Sequence, residues 1–487
     1  MLKIDVESPL ALFNVAATRR IELTAQAALA PHTLMQRAGL AVAQLAMAMA
    51  PHARFVWIAC GPGNNGGDGL EAAMHLQQWG KSAVVTWLGS ADTAPQDAVA
   101  SYQRAVAAGV TFAETPPVNC DLYIDALLGI GAEVREADAK MVNSIAQMNT
   151  GSAPVLAVDI PTGLHADTGQ AALNCVKASH TLSLLTLKPG LFTASGRDFA
   201  GTIWLENLST GQNAFASEAS PTAWLSGAPK SPPRLHASHK GSFGDVVVIG
   251  GALGMTGAAL LAATAALHTG AGRVFVGLLD NGTLTVDTSQ PELMFRAIGD
   301  LDFSSMTMTV VCGCGGGEAI HSHLEKILSS PAPVVIDADA INNIALDKSL
   351  QTLLCERGQR AAATVLTPHP LEAARLLGIT ACAVQQDRLM AAQRLALRFD
   401  CTVVLKGSGT VIAAPGETPI INPTGNAKLA TAGTGDVLAG MVGTRLAGGL
   451  PAFEAACQAV YQHGQQAELW PADRPMSAGA LSRMLLS

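Results

Sequence analysis

Short apolar, β-branched runs alternate with helix-length stretches along almost the whole chain, and nothing else in it constrains the fold as strongly. From Arg54 the runs read FVWIAC, SAVVTWL, DLYIDALL and PVLAVDI, with helical patterns around 70–79, 95–108 and 137–149. Strand–helix alternation at this spacing predicts a parallel sheet with helices on both faces. A helical segment over roughly 23–50, charged only at Arg37, would pack on that sheet. Between about 209 and 238 the pattern gives way to a Ser-, Pro-, Gly- and Ala-rich stretch, the best linker candidate. It then resumes as GDVVVIGG, GRVFVGLL, MTVVCG, APVVIDAD and TVLTPHP, two helices, CTVVLKGSGTVIAA and a last helical region from near Gly433. The halves show no repeat of one another. At roughly 100–200 residues per domain, 487 residues fit two separate α/β domains, expected over 1–215 and 225–487.

The formal charge of −8 argues against a nucleic-acid backbone as partner. Nine scattered cysteines without a CxxC pair fit reduced thiols in the cytoplasm. Lys3, Asp5 and Glu7 break up the only stretch where an export signal would sit. Val246–Gly272 carries no Asp, Glu, Lys or Arg and is long enough to span a bilayer. Its order, a β-branched run, a glycine loop and an Ala-rich stretch, predicts a buried strand and helix instead. A soluble chain acting on small molecules, with no membrane partner, is expected.

Ala59–Leu70 reads ACGPGNNGGDGL directly after a strand. Gly61, Gly63 and Gly66 satisfy G-x-G-x-x-G, a spacing that lets backbone amides approach a pyrophosphate at a helix N-terminus. A hydride-transferring dinucleotide domain would also carry an acid at the end of its second strand. That strand ends Trp87-Leu88-Gly89-Ser90, with no acid before Asp92, so an ordinary dehydrogenase is disfavoured. Asn64, Asn65 and Asp68 exceed what a turn requires, although Asx-turns and an N-cap from Asp68 would explain them without chemistry. Asp125 closes the next strand, and Asp159 with Thr162 the one after. Strand ends of a doubly wound sheet converge on one crevice, where these oxygens could hold a hard cation.

GPGNNGGDG, DALLGIG, AVDIPTG and the early MQRAG (Met35–Gly39) resemble the NAD(P)H-hydrate epimerase domain, of Rossmann-like three-layer fold. The resemblance implies epimerisation at C6 of hydrated NADH or NADPH. It implies that Asn64, Asn65, Gly66, Gly67 and Asp68 contact the substrate, with Gly129, Ile130, Gly131, Ala132, Glu133, Val134 and Arg135 lining it. It further implies that Asn65, Asp125 and Thr162 coordinate potassium and that Asp159 is the catalytic acid/base. The loop after Gly131 departs from the family, since Glu133 would repel a substrate diphosphate.

In the second half, Lys406-Gly-Ser-Gly-Thr410 occupies a strand–turn–strand, and Gly433, Thr434 and Gly435 precede a helix carrying Asp436 in its first turn. Amides at that N-terminus form an anion hole for a transferring phosphoryl group, and an aspartate beside it can take the proton of an attacking hydroxyl. No G-x-x-x-x-G-K-[ST] loop is present. A tight turn with an N-capping Asp436 is the plain structural alternative. Asp337 and Asp339 could hold magnesium through water or merely cap the following helix.

HKGSFGDVVVIGG, MTGAALLAA, CGCGGGE, VIDADAIN, LTPHPLEAARLLG, VVLKGSGTV and the GTGD helix resemble the ribokinase-like fold, specifically its NAD(P)H-hydrate dehydratase branch. This implies hydrate contacts from Ala258, Gly317, His369 and the catalytic Asp436. The adenine nucleotide, expected to be ADP with Mg²⁺, would lie on Lys406, Gly407, Ser408, Gly409, Thr410 and Gly435. The family's Gly-Pro-Gly-Leu-Gly loop stands here as Gly313-Cys-Gly-Gly-Gly317. His369 has an alternative role as a loop cap. The reading is a two-part repair enzyme, expected to be a homo-oligomer. The alternatives are a small-alcohol kinase in the second half and a first half reduced to a binding or self-association module.

Overall fold

The apolar runs assemble into sheets within two units of the chain. The computed structural model describes residues 1–5, 7–131, 139–210, 219–229, 235–280, 282, 284–304 and 308–485. One unit comprises Met1–Asp5 and Leu10–Trp224, the other Val6–Pro9 and Leu225–Ser487.

In the first unit, strand Phe55–Cys60 pairs in parallel with Ser82–Trp87 on one side and Leu122–Ala126 on the other. Thr111–Phe112 extends the first side; Val155–Val158, His180–Leu184 and Thr202–Glu206 extend the second, all parallel. Only Leu2–Lys3 runs antiparallel in this sheet, on the outer edge. Chain order therefore reverses at Phe55–Cys60. The crevice beyond Cys60 and Ala126 is the switch point at which such sheets bind ligands.

The helix expected over 23–50 is two helices, Val15–Ala27 and Thr33–Met49. Ala30 precedes Pro31, whose ring disfavours helical backbone in the residue before it, and His32 turns the chain at φ +66°. The expected 70–79 helix begins earlier, at Asn64, and runs to Gln78. Its glycines allow tight packing: a Cβ on Gly67 would stand 2.6 Å from Met35 Sδ, and one on Gly69 2.5 Å from Ala126 Cβ. The other two expected helices span Gln96–Ala107 and Ala139–Thr150.

The second unit repeats this logic. Asp245–Gly250 pairs in parallel with Arg273–Leu278 and Met308–Cys312. Val334–Ile336, Thr364–Leu366 and Thr402–Leu405 continue beyond Met308–Cys312, still parallel, and Val411–Ala413 and Ile420–Ile421 add an antiparallel border. The uncharged stretch is strand Asp245–Gly250, a glycine turn and helix Thr256–Thr269, packed in the core. No helix among the described residues is long and apolar enough to cross a membrane. Thr256–Thr269 lies against helix Thr434–Ala447 so closely that a Cβ on Gly440 would stand 2.1 Å from the Ala262 carbonyl oxygen.

Two further expectations change. The 209–238 stretch contains a strand, Ala223–Leu225, while 211–218 and 230–234 lie outside the described residues. Three helices, not two, precede Thr402: Pro370–Leu377, Ala381–Gln386 and Arg388–Phe399. Side-chain caps from Thr380 and Asp387 start the second and third.

Candidate active sites

At the switch point of the first unit the strand ends nearly touch. Gly61 N–H donates to the Ala126 carbonyl at 2.9 Å. A side chain on Gly61 would meet the Leu127 oxygen at 1.7 Å. Helix Asn64–Gln78 starts from Gly63 with no side chain capping it. Asp68 is therefore not an N-cap. It lies in the second turn and, with Asn64 and Asn65, faces a cavity of about 490 Å³ that Gly129, Ile130, Gly131 and Asp159 also line. Gly66 and Gly67 do not line it; they pack on Gly61 and Met35. Ala132, Glu133, Val134 and Arg135 lie outside the described residues.

Asp159 sits at φ +67°, a left-handed conformation that costs a non-glycine residue energy and tends to occur at functional sites. Its Oδ1 accepts from the Leu184 amide at 3.1 Å and from the ammonium of Lys188. Lys188 is fully buried and also donates to Ser183 Oγ and the Leu184 carbonyl. Burial first, then the charges of Asp159, Glu22, Glu71 and Asp97, push the Asp68 carboxyl well above the ordinary range. Burial and Asp159 also raise Glu22. One cavity thus holds an ion-paired carboxylate and a proton-holding one, the arrangement that separates base from acid.

Asp125 is fully buried. It accepts from Thr162 Oγ1 at 2.6 Å, Thr162 N at 2.8 Å and Leu127 N at 3.2 Å. Burial nevertheless pushes it up to about 6, because no basic side chain pairs with it among the described residues. Thr162 Oγ1 accepts from the Leu128 amide at 3.0 Å. Asn65 packs beneath Gly129, and its buried Nδ2 has no partner. The three expected cation ligands thus gather around the 127–129 turn.

In the second unit a glycine-rich loop follows strands Asp245–Gly250 and Met308–Cys312 at their ends. Gly251 N–H donates to the Cys314 carbonyl at 3.0 Å, and Ala252 N–H to that of Gly315 at 2.8 Å. Ala258 packs on this loop, 2.8 Å from where a Cβ on Gly315 would stand. Gly317 donates to Asp339 Oδ2 at 2.9 Å, so Asp339 anchors the loop. Asp337 makes no capping bond to helix Ala338–Leu346. Instead Thr367 Oγ1 donates to it at 2.6 Å and Lys406 Nζ at 2.7 Å. Burial alone would lower Lys406, but Asp337 and Glu372 outweigh it and hold the ammonium above its ordinary value.

Helix Thr434–Ala447 begins at Gly433, φ +90°, and no side chain caps it. Asp436 is therefore not its N-cap. A Cβ on Gly435 would stand 3.3 Å from Lys406 Nζ, which places the ammonium over the open helix end. Burial, then Asp337, pushes Asp436 up to about 7. Cys314 Sγ and oxygens of Asp337 and Asp436 lie within 4.8 Å of one another. Because Lys406 already neutralises Asp337, this group is not a built metal site.

The Lys406–Thr410 turn rests on Arg388, which is buried and donates to the carbonyls of Leu405 and Lys406 at 3.1 and 3.2 Å. A Cβ on Gly407 would stand 2.9 Å from its guanidinium. Ser408, Gly409 and Thr410 complete the turn, Thr410 Oγ1 donating to the Gly407 carbonyl at 3.1 Å. His369 is the N-cap of helix Pro370–Leu377: its Nδ1 accepts from Leu371 and Glu372 amides, leaving Nε2–H to face Glu372 Oε1 at 3.2 Å. The capping alternative describes its contacts, and its ring is 46% exposed.

Lys188, Glu22, Thr367 and Arg388 were not singled out from sequence. Lys188 had a signal: it is the only Lys, Arg, Asp or Glu between residues 181 and 196.

A family described as NAD(P)H-hydrate dehydratase matches residues 246–486, and one described as YjeF-related protein N-terminus matches 31–190. The bifunctional NAD(P)H-hydrate repair enzyme Nnr of Escherichia coli strain K12 is 36% identical over 90% of this chain and 85% of its own. The chain belongs to the bifunctional NAD(P)H-hydrate repair enzyme family. The ADP-dependent (S)-NAD(P)H-hydrate dehydratase of Neisseria meningitidis serogroup B is 43% identical, covering 51% of this chain and 84% of its own. An ADP/ATP-dependent NAD(P)H-hydrate dehydratase of Bacillus subtilis, co-crystallised with ATP and Mg²⁺, is 30% identical with a TM-score of 0.44, covering 52% of this chain and 92% of its own. As a member of the hydrate repair enzymes, the chain has a Rossmann-like first unit and a ribokinase-like second one.

Proposed function

We propose that the first unit interconverts the two C6 epimers of hydrated NADH and NADPH, and that the second dehydrates the S epimer using ADP. Carbon 6 bears a hydroxyl and the ring nitrogen. Inverting it requires one of those bonds to break and reform, with one proton taken and one given. Asp159, ion-paired with Lys188, takes the proton. Asp68, kept protonated by its surroundings, gives one. Asn64, Asn65 and Gly129–Gly131 hold the substrate in the cavity.

The residues around the 127–129 turn fit potassium: a buried carboxylate lacking a cationic partner among the described residues, a hydroxyl, and a buried amide with an orphaned end. Turning the Asn65 amide about its terminal bond brings its oxygen in place of the unpartnered nitrogen. Asn65, Asp125 and Thr162 would hold it. Bound there, the ion supplies positive charge against Asp125 and the substrate diphosphate.

In the second unit Asp436 takes the proton of the C6 hydroxyl as its oxygen attacks the β-phosphorus of ADP. The new O–P bond replaces the phosphoanhydride bond, and AMP leaves. The ring nitrogen lone pair then expels phosphate from C6, and loss of a C5 proton restores the double bond. Lys406 and the open amides of Thr434–Ala447 meet the phosphoryl charge. Lys406–Thr410 and Gly435 form the nucleotide side; Ala258, Gly317 and His369 form the hydrate side. Magnesium arrives with the nucleotide.

The observation that carries the dehydratase reading is Lys406 Nζ standing over Gly435 at an uncapped helix end, with Asp436 one residue on. The test is incubation of the pure protein with both epimers, ADP, Mg²⁺ and K⁺. Complete return of reduced-nicotinamide absorbance with free phosphate and AMP is expected. A stall at one epimer's share would sink the epimerase half, and a stable phosphorylated product would make the second unit a kinase. Nine free cysteines support a cytoplasmic location. Self-association into a homo-oligomer completes the proposal and is read by light scattering.

A further inference from the structure

The cavity of the first unit has an uneven charge. Four acidic residues line it, Glu22, Asp68, Asp97 and Asp159, and among the described residues a single basic one does, Arg19. Lys188 is fully buried and paired with Asp159. Asp97 has its own partner in His32 Nδ1 at 2.5 Å.

Helix Val15–Ala27 presents Arg19 to the cavity. Ala17, Ile21 and Ala25 are buried in the helix, while Thr18, Arg19, Glu22 and Gln26 line the cavity at helical spacing. The helix is held firmly. Asn14 Oδ1 accepts from the Ala17 amide and Asp167 Oδ1 from the Val15 amide, both at 2.8 Å, and the hydroxyls of Thr18 and Thr186 share a hydrogen bond of 2.7 Å. The exposed guanidinium is far less committed. Among the described residues its one hydrogen bond is long, Nη2 donating to the Gly131 carbonyl at 3.5 Å, and no carboxylate forms an ion pair with it.

A hydrated dinucleotide brings a diphosphate, which a wall of carboxyl groups repels. The 129–131 turn offers it the opposite surroundings. A Cβ on Gly129 would stand 3.1 Å from Asn65 Oδ1, so the turn adjoins the start of helix Asn64–Gln78, whose first amides no side chain caps. Arg19 reaches the same turn at Gly131. We propose that Arg19 is a specificity-determining residue of the first unit, whose guanidinium binds the diphosphate of the hydrated dinucleotide at the 129–131 turn. The inference rests on the epimerase reading above. A guanidinium fork meets two phosphate oxygens at once, which an ammonium does not.

The test follows epimer exchange by the full chain as wild type, Arg19→Gln and Arg19→Lys. The substrates are hydrated NADH and hydrated dihydronicotinamide riboside, which has the same ring and no phosphate. Arg19→Gln is expected to raise KM for hydrated NADH by about 10- to 100-fold, the scale of charge-assisted hydrogen bonds. The kcat should change little, as when binding common to ground and transition states is lost. Preference for hydrated NADH over the riboside, read as the ratio of kcat/KM values, should fall by the same factor. Arg19→Lys keeps the charge without the fork and should recover part of it. ADP-ribose carries the diphosphate without the ring, so it should inhibit the wild type competitively and Arg19→Gln more weakly, however slowly the riboside reacts. An unchanged KM, a loss shared equally by both substrates, or ADP-ribose inhibition that Arg19→Gln leaves unaltered overturns the proposal. Absence of epimer exchange in the wild-type protein would instead sink the epimerase reading itself.

Discussion

The Lys406 ammonium and the Asp337 carboxylate form an ion pair of 2.7 Å that links the end of one strand to the end of another two places away. Asp337 is almost wholly buried, while Lys406 keeps one side open toward the helix end at Gly435. The pair therefore has a structural partner and a functional one. Lys406→Met should leave Asp337 buried without its cation, costing on the order of 2–4 kcal/mol. It should also reduce dehydration by at least about 100-fold, as loss of a transition-state charge contact does. Calorimetry and phosphate release check the two effects, while epimer exchange measured on the same protein should be unchanged.

Asp436 sets a pH dependence with a definite sign. Burial, then Asp337, raises it to about 7 in the folded chain, against roughly 4 when unfolded. As the base it must be ionised, so dehydration should rise with pH and level off above about 7. Stability runs the other way. Between about pH 4 and 7 the folded state binds the extra proton, so the free energy of unfolding falls as pH rises through that window. Asp436→Asn should abolish dehydration yet flatten this slope. It should also raise the melting temperature at pH 8 by a few degrees, a shift that corresponds to on the order of 1–2 kcal/mol. An unchanged melting curve at pH 8 counts against the buried-acid account.

Much of this was legible in the residues. Alternating runs with β-branched interiors give parallel strands, and polar groups at successive strand ends (Asp125, Asp159, Asp337, Lys406) converge because all strands of a parallel sheet end on one side. What escaped depends on distance in sequence. Lys188 meets Asp159 only because His180–Leu184 lies beside Val155–Val158, and Arg388 reaches Gly407 from a helix that precedes the turn it supports. Neither pairing has a local spacing rule. The break at Pro31 was visible, yet the apolar pattern on both sides of it concealed two helices as one.

Lys188→Met should separate the two activities. Asp159 would keep only the Leu184 amide as donor among its described partners and would lose the cation paired with it in the cavity it shares with Glu22 and Asp68. Epimerisation is expected to fall by about 100- to 10,000-fold, the range for loss of a functional general base. Conversion of mixed epimers with ADP should then proceed at the normal initial rate and stop at the S epimer's share. Continued conversion beyond that share would remove Lys188 and Asp159 from the mechanism.

The 127–129 turn gives the last test, through metal rather than protons. Asp125 has three hydrogen-bond donors but no cation among the described residues, and Asn65 leaves a buried amide end unmatched, a combination that disfavours the empty arrangement. Potassium should therefore accelerate epimer exchange and stabilise the first unit by RT ln(1 + [K⁺]/Kd), seen as a raised melting temperature. At about 100 times Kd this amounts to about 2.7 kcal/mol. Lithium and tetramethylammonium, too small and too large for such an oxygen set, should do neither at equal ionic strength. Asp125→Asn keeps the shape and removes the charge, so it should erase the potassium response while leaving ADP-dependent dehydration of the S epimer intact. A potassium effect that survives in Asp125→Asn would place the ion elsewhere.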